Sequence, residues 1–158
     1  MPVSRSVLAL GFGLYLATMA VAPQAQAALG GKSASVDADR QHLHARMSRA
    51  QSSGFTVQDL ATDDGTVTRE YISSSGVVFA VTWAGPARPD LKQLFGPYYD
   101  RFQAANTGKG PGRRPLRADN FDFVVRSGGH SGDFWGFAYL PYETPAGFDL
   151  SLLTRGAQ

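Results

Sequence analysis

The sequence predicts an α+β domain: about five strands in a mainly antiparallel sheet, with two amphipathic helices packed against one face. Three observations carry this. Val77 to Ala84 holds no charge and is bounded by turn formers, as a buried strand is. Short β-branched and aromatic runs recur around it, separated by Asp-Gly, Ser-Gly and Gly-Gly turns. Two other stretches repeat apolar residues at helical rather than strand spacing.

The chain has 158 residues, a length for one domain. Its formal net charge of +2 gives no general affinity for nucleic acid, and no nucleic-acid partner is expected. The absence of cysteine excludes disulfides, thiolate metal sites and a lipid-modified N-terminal cysteine. At the N-terminus Arg5 precedes the apolar run from Val7 to Ala22, and Ala25-Gln26-Ala27 has the small residues of a cleavage site. Residues 1–27 therefore read as a signal peptide, residues 28–34 as a flexible lead-in and 35–158 as the folded domain. The expected location is periplasmic or secreted, after cleavage near Ala27.

Ser35 is placed to cap a helix, with Asp37 and Asp39 in its first turn. Val36, Leu43, Met47 and Ala50 would form its apolar stripe, and Gly54 would close it. From Phe55 the pattern becomes that of strands. Phe55 and Val57 lead to the turn Asp63-Asp64-Gly65, Thr66 to Ile72 form the next strand, and Ser73 to Gly76 turn into the central one. Strict alternation there puts Val77, Phe79, Val81 and Trp83 on one face. Gly85-Pro86 ends it. Leu91, Leu94, Phe95, Tyr98, Phe102 and Ala105 keep helical spacing, which Pro97 must break into two short helices or one kinked one. A Gly/Pro-rich loop from Asn106 to Pro115 follows. Phe121 to Arg126 and Phe134 to Leu140 are the last two strands, joined by a glycine-rich hairpin, and Leu150, Leu152 and Leu153 dock the tail.

Ala28-Leu-Gly-Gly31, Gly65-Thr-Val-Thr-Arg-Glu-Tyr71, Val78 to Pro86, Pro89-Asp-Leu91, Ser127-Gly-Gly-His130 and Ala138-Tyr-Leu-Pro141 together resemble the family catalogued as domain of unknown function 2844. In this chain Ser131 stands where that family tends to carry a larger residue. The resemblance implies export from a proteobacterial cell and a shared fold. It supplies no reaction, ligand or catalytic residue.

Four residue groups invite chemistry. His42 and His44 lie about 200° apart on a helix, so they cannot share a metal, and no metal or cofactor is expected. Ser127, His130, Ser131 and Asp133 have the residue types of a hydrolytic triad, but all four lie within one hairpin and lack a nucleophile elbow. Glu70 and Glu143 would make a carboxylate pair only if the fold joined them. Lys109, Arg113, Arg114 and Arg117 form a basic loop that suits an anionic surface, or simply solvent. The aromatic set Phe79, Trp83, Phe121, Phe123, Trp135, Phe137 and Tyr139 reads as core under the helices; a groove for a lipid, peptide or sugar would need part of that face left open. The favoured function is a non-enzymatic binding or accessory module of the cell envelope, its partner an envelope component or another exported protein. The alternatives are a small hydrolase using the Ser127/His130/Asp133 hairpin, and a structural partner of another exported protein.

Overall fold

The computed structural model describes residues 29–32, 46–107 and 116–158. Its centre is a seven-stranded sheet in the order β1-β2-β3-β4-β7-β6-β5, with every neighbouring pair antiparallel. The strands are β1 (Arg46–Ser52), β2 (Phe55–Ala61), β3 (Val67–Ser73), β4 (Val78–Gly85), β5 (Leu116–Asp119), β6 (Val124–His130) and β7 (Asp133–Tyr139). The first four form a meander. The chain then crosses one face through α1 (Leu91–Phe95), a 3₁₀ turn (Gly96–Tyr98) and α2 (Tyr99–Asn106). It re-enters at the far edge as β5 and returns through β6 and β7, so β7 closes against β4. A last short helix, α3 (Ser151–Gly156), packs on the opposite face of β4 and β7.

Each connection has a local cause. Asp64 Oδ1 accepts from Thr62 Oγ1 at 2.5 Å and from Thr66 N–H at 2.9 Å, and Gly65 takes a φ of 88°, which closes the β2–β3 turn. Asp90 caps α1 by accepting from the N–H groups of Lys92 and Gln93. Pro97 falls in the 3₁₀ turn that separates α1 from α2, the break its missing N–H requires.

The two faces bury different clusters. On the helix side, Val81, Trp83, Phe123, Val125 and Ala138 meet Leu91, Leu94, Phe95 and Phe102. Phe95 is the hub, with Trp83, Phe102 and Phe123 rings 5.7, 5.2 and 5.7 Å away. Leu29 is fully buried in this layer. Its N–H donates to Leu94 O, and Gly30 N–H donates to Val78 O, so this part of the expected lead-in is tied into the fold. On the other face Phe79, Tyr71 and Leu153 are buried, and Phe148 sits edge-on to Phe55 and Phe79 at 5.1 and 4.9 Å. The helix α3 comes close through Gly156, where a Cβ would lie 2.9 Å from Thr82 Oγ1 and 3.0 Å from Tyr71 Oη.

Five expectations are corrected. The sheet has seven strands, not about five; β1 and β5 are the additions. The helix expected to run to Gly54 is a strand from Arg46 to Ser52, paired along its length with β2; its earlier residues, His42 and His44 among them, lie outside the described residues. Gly54, at φ 86°, serves the two-residue β1–β2 turn rather than a helix end. The two helical layers lie on opposite faces, not one. Finally, a bulge interrupts β4. Tyr71 pairs with Ala80 and Ile72 with Val78, so Phe79 is the extra residue. Phe79 therefore joins Ala80 in the α3-side cluster while Val81 and Trp83 point to the helices α1 and α2. Strict alternation fails there.

Candidate functional site

Registration between β4, β7 and β6 creates the same device twice. Trp83 on β4 stands opposite Gly136 on β7, and its indole lies across that glycine on the α1–α2 face. A Cβ at Gly136 would sit 2.5 Å from Trp83 Cε2 and closer still to Cζ2. Trp135 on β7 stands opposite Gly128 on β6, with its indole across the glycine on the α3 face. A Cβ at Gly128 would sit 2.8 Å from Trp135 Cζ2 and 2.9 Å from Cε2. Neither glycine has a positive φ, so the missing side chain is what matters. The covers differ. Trp83 is fully buried beneath α1, whereas α3 stops beside Trp135 and leaves it half-buried.

The space between Trp135 and α3 is a cleft of about 430 Å³ lined by Ala84, Asp133, Trp135, Phe137, Thr154, Ala157 and Gln158. Ala84 is opposite Trp135 in the β4–β7 ladder, so its small side chain leaves room beside the indole. Asp133 and Gln158 are exposed at the rim, and Thr154 projects from α3. Beyond Trp135, the same face continues across β6 and β5 through Arg126, His130, Arg117 and Asp119. Asp119 accepts from Arg126 at 2.5 Å and from Arg117 at 2.8 Å, and these bonds, the Arg126 bond foremost, hold its carboxyl below the usual carboxylate range. Two guanidinium groups thus share one carboxylate, and the strip beside the cleft is weakly positive.

The residues singled out from the sequence are dispersed. Ser127 is buried on the helix face, opposite Gly136 and Leu116. His130 and Asp133 pair across the β6–β7 turn on the other face, 3.9 Å apart and both largely exposed. Ser127 and His130 are therefore not brought together. Glu70 is fully buried in β3 opposite Gln58, while Glu143 is exposed in the turn after β7. Of the basic loop, Arg117 lies on β5 and pairs with Asp119; Lys109, Arg113 and Arg114 lie outside the described residues. The aromatic set divides: Trp83 and Phe123 face α1 and α2, Phe79, Trp135, Phe137 and Tyr139 face the other way, and Phe121 is 78% exposed. Among the described residues no three His, Asp or Glu side chains gather as a metal site would need.

The cleft itself was not legible beforehand. Its signal was a tryptophan with a glycine seven residues earlier across a two-residue hairpin, and that spacing has meaning only once the β6–β7 register is known.

Comparison with known proteins gives one match. A family model described as "Protein of unknown function (DUF2844)" matches residues 25–153. No curated protein and no solved structure matches the chain.

Proposed function

The chain belongs to the DUF2844 family, and we propose that it is a non-enzymatic binding module of the cell envelope whose ligand site is the Trp135 cleft. The observation that carries this reading is the unequal cover over two equivalent Trp–Gly pairs. Glycine inside a strand is unfavourable by about 0.5–1 kcal/mol relative to alanine. At Gly136 that cost is offset by complete burial of the Trp83 indole. At Gly128 it supports an indole that remains partly open to solvent beside a cleft. Stability alone would favour alanine at 128 and a smaller residue at 135. An open aromatic wall with convergent polar groups at its rim suits ligand recognition. The envelope setting is supported by Arg5, the apolar run behind it and Ala25-Gln26-Ala27.

The test is co-sedimentation of the purified protein with isolated envelope material. Trp135→Ala should lose retention while its free energy of urea unfolding stays within about 1 kcal/mol of wild type, as a partly exposed position allows. Equal retention of both proteins would sink the proposal. A second reading, assembly with another exported protein, is favoured by Phe121 and Tyr142. Their rings are 78% and 73% exposed and pack edge-on at 5.9 Å, an apolar projection that contributes little to the core. Replacing both with Ser should abolish cross-linking to such a partner in cells and leave cleft binding intact.

A further inference from the structure

We infer that the Trp135 cleft takes a neutral pyranose unit of a polysaccharide, an inference that rests on the binding reading above. The indole is one wall of the cleft, and the absence of a side chain at Gly128 lets it lie across the strands rather than upright from them. Such a surface matches the apolar C–H face of a sugar ring, whose polar groups radiate in the ring plane. Groups that can meet those hydroxyls surround the indole. Asp133 accepts, Gln158 both donates and accepts, and the Thr154 hydroxyl does either. The mixture suits a ligand that is itself donor and acceptor at every position. At about 430 Å³ the cleft is within the range of small-molecule sites, roughly 300–1,000 Å³, and it is open at the rim, as a unit within a longer chain requires.

The other ligand classes fit less well. A cation would find Trp135, Phe137 and Asp133, but Arg126 and Arg117 stand on the same face against the single carboxylate of Asp119. An anion would meet Asp133 in the lining, where no lysine, arginine or histidine takes part. An acyl chain would leave the Asp133, Thr154 and Gln158 polar groups without partners as it displaced their water.

The protein has only two tryptophans, so its indole N–H groups give two assignable resonances in a ¹H–¹⁵N spectrum. We would titrate labelled protein with maltotriose, cellotriose and chitotriose, each to about 10 mM, a range that captures weak single-site binding. Trilysine and phosphatidylglycerol vesicles are the cationic and lipid arms. At least one trisaccharide should move the Trp135 resonance while that of the buried Trp83 stays in place. Trp135→Ala should then weaken that sugar about tenfold or more, read from the backbone amides of Thr154 and Gln158. Asp133→Asn, at an exposed hairpin position, should weaken it severalfold with the Trp83 resonance unchanged, which separates a lost ligand contact from a lost fold. Movement by trilysine or vesicles and by no sugar would overturn the sugar inference and leave the binding reading standing. So would Trp135-dependent envelope retention with no response to any trisaccharide. No response to any probe, together with retention indifferent to Trp135, would overturn both.

Discussion

Gly136→Ala puts the fold's central contact to the test with one methyl group. The new Cβ would lie 2.5 Å from Trp83 Cε2, nearer still to Cζ2, and 2.7 Å from the Arg126 carbonyl oxygen. Ordinary carbon contacts are about 3.5–4.0 Å, so the indole must retreat by about 1 Å or more. It has nowhere to go, being fully buried with Phe95 against it at 5.7 Å. Overpacking of this kind costs about 1–3 kcal/mol and occasionally more. Alanine's better strand propensity returns about 0.5–1 kcal/mol. A net loss of about 1–2 kcal/mol is expected, read from urea unfolding with the slope unchanged. Gly128→Ala is the internal control. It meets Trp135 at a similar 2.8 Å, but that indole is half-exposed and can swing outward. Its stability should stay within about 0.5 kcal/mol of wild type, the span of ordinary surface substitutions. Trp83→Ala removes the partner and should cost about 3–5 kcal/mol. In the Trp83→Ala background, Gly136→Ala should become neutral or stabilising, a coupling within the range of about 0.5–3 kcal/mol for contacting residues. If Gly136→Ala cost no more than Gly128→Ala, the unequal-cover argument would be wrong.

Further outcomes follow from the same structure. Leu153→Ala should cost about 2–5 kcal/mol, because Leu153 is 1% exposed and anchors α3; a loss below about 1 kcal/mol would mean that α3 is not docked there. Asp64, Asp119 and Asp149 all have carboxyls held below their ordinary range by hydrogen bonds, from Thr62, Arg126 and Ser151 foremost. Such groups add stability that is fully present above the unfolded value of about 3.9 and is lost as pH falls through the folded value. Urea midpoints should therefore hold from pH 7 to about 5 and fall below about 4, with a shallower fall for Asp119→Asn. Export predicts that protein recovered from the periplasm or medium begins at Ala28 by intact mass, and recovery of only the full-length chain in membranes would refute it.

The elements legible in the sequence were those whose signals are local. The Asp63-Asp64-Gly65 turn, the break at Pro97 and the strands around Tyr71, Trp83 and Phe137 each announce themselves within a few residues. What escaped depends on partners far along the chain. The strand β1 is exposed at every residue but Met47 and is held by its backbone pairing with β2, so it carries no alternating apolar signal. Gly54 misled because a helix end and a two-residue hairpin both favour a glycine with positive φ. The strand β5 is four residues long, and only Leu116 and Ala118 face the core. The bulge at Phe79 separated residues that strict alternation unites, and the aromatic set split between faces as a consequence.

The register of β6 fixes which groups share each face of the hairpin. Side chains alternate along a strand, so residues three apart, such as Ser127 and His130, point to opposite faces. No register of β6 unites them, because a slip of one residue moves both to the other side together. Val125, now fully buried, would go to the open face, and Arg126 would enter the aromatic layer around Phe95 without Asp119. Exposing the valine alone costs about 1.5–3 kcal/mol, and burying the arginine charge away from its carboxylate costs on the order of several kcal/mol more. Those sums approach the whole stability of a domain this size, about 5–15 kcal/mol. The observed register instead brings His130 to Asp133 and Gly128 beneath Trp135. Alternation thus keeps Ser127 from His130, while the register sets Gly128 beneath Trp135 and opens the aromatic surface on which the proposed binding role rests.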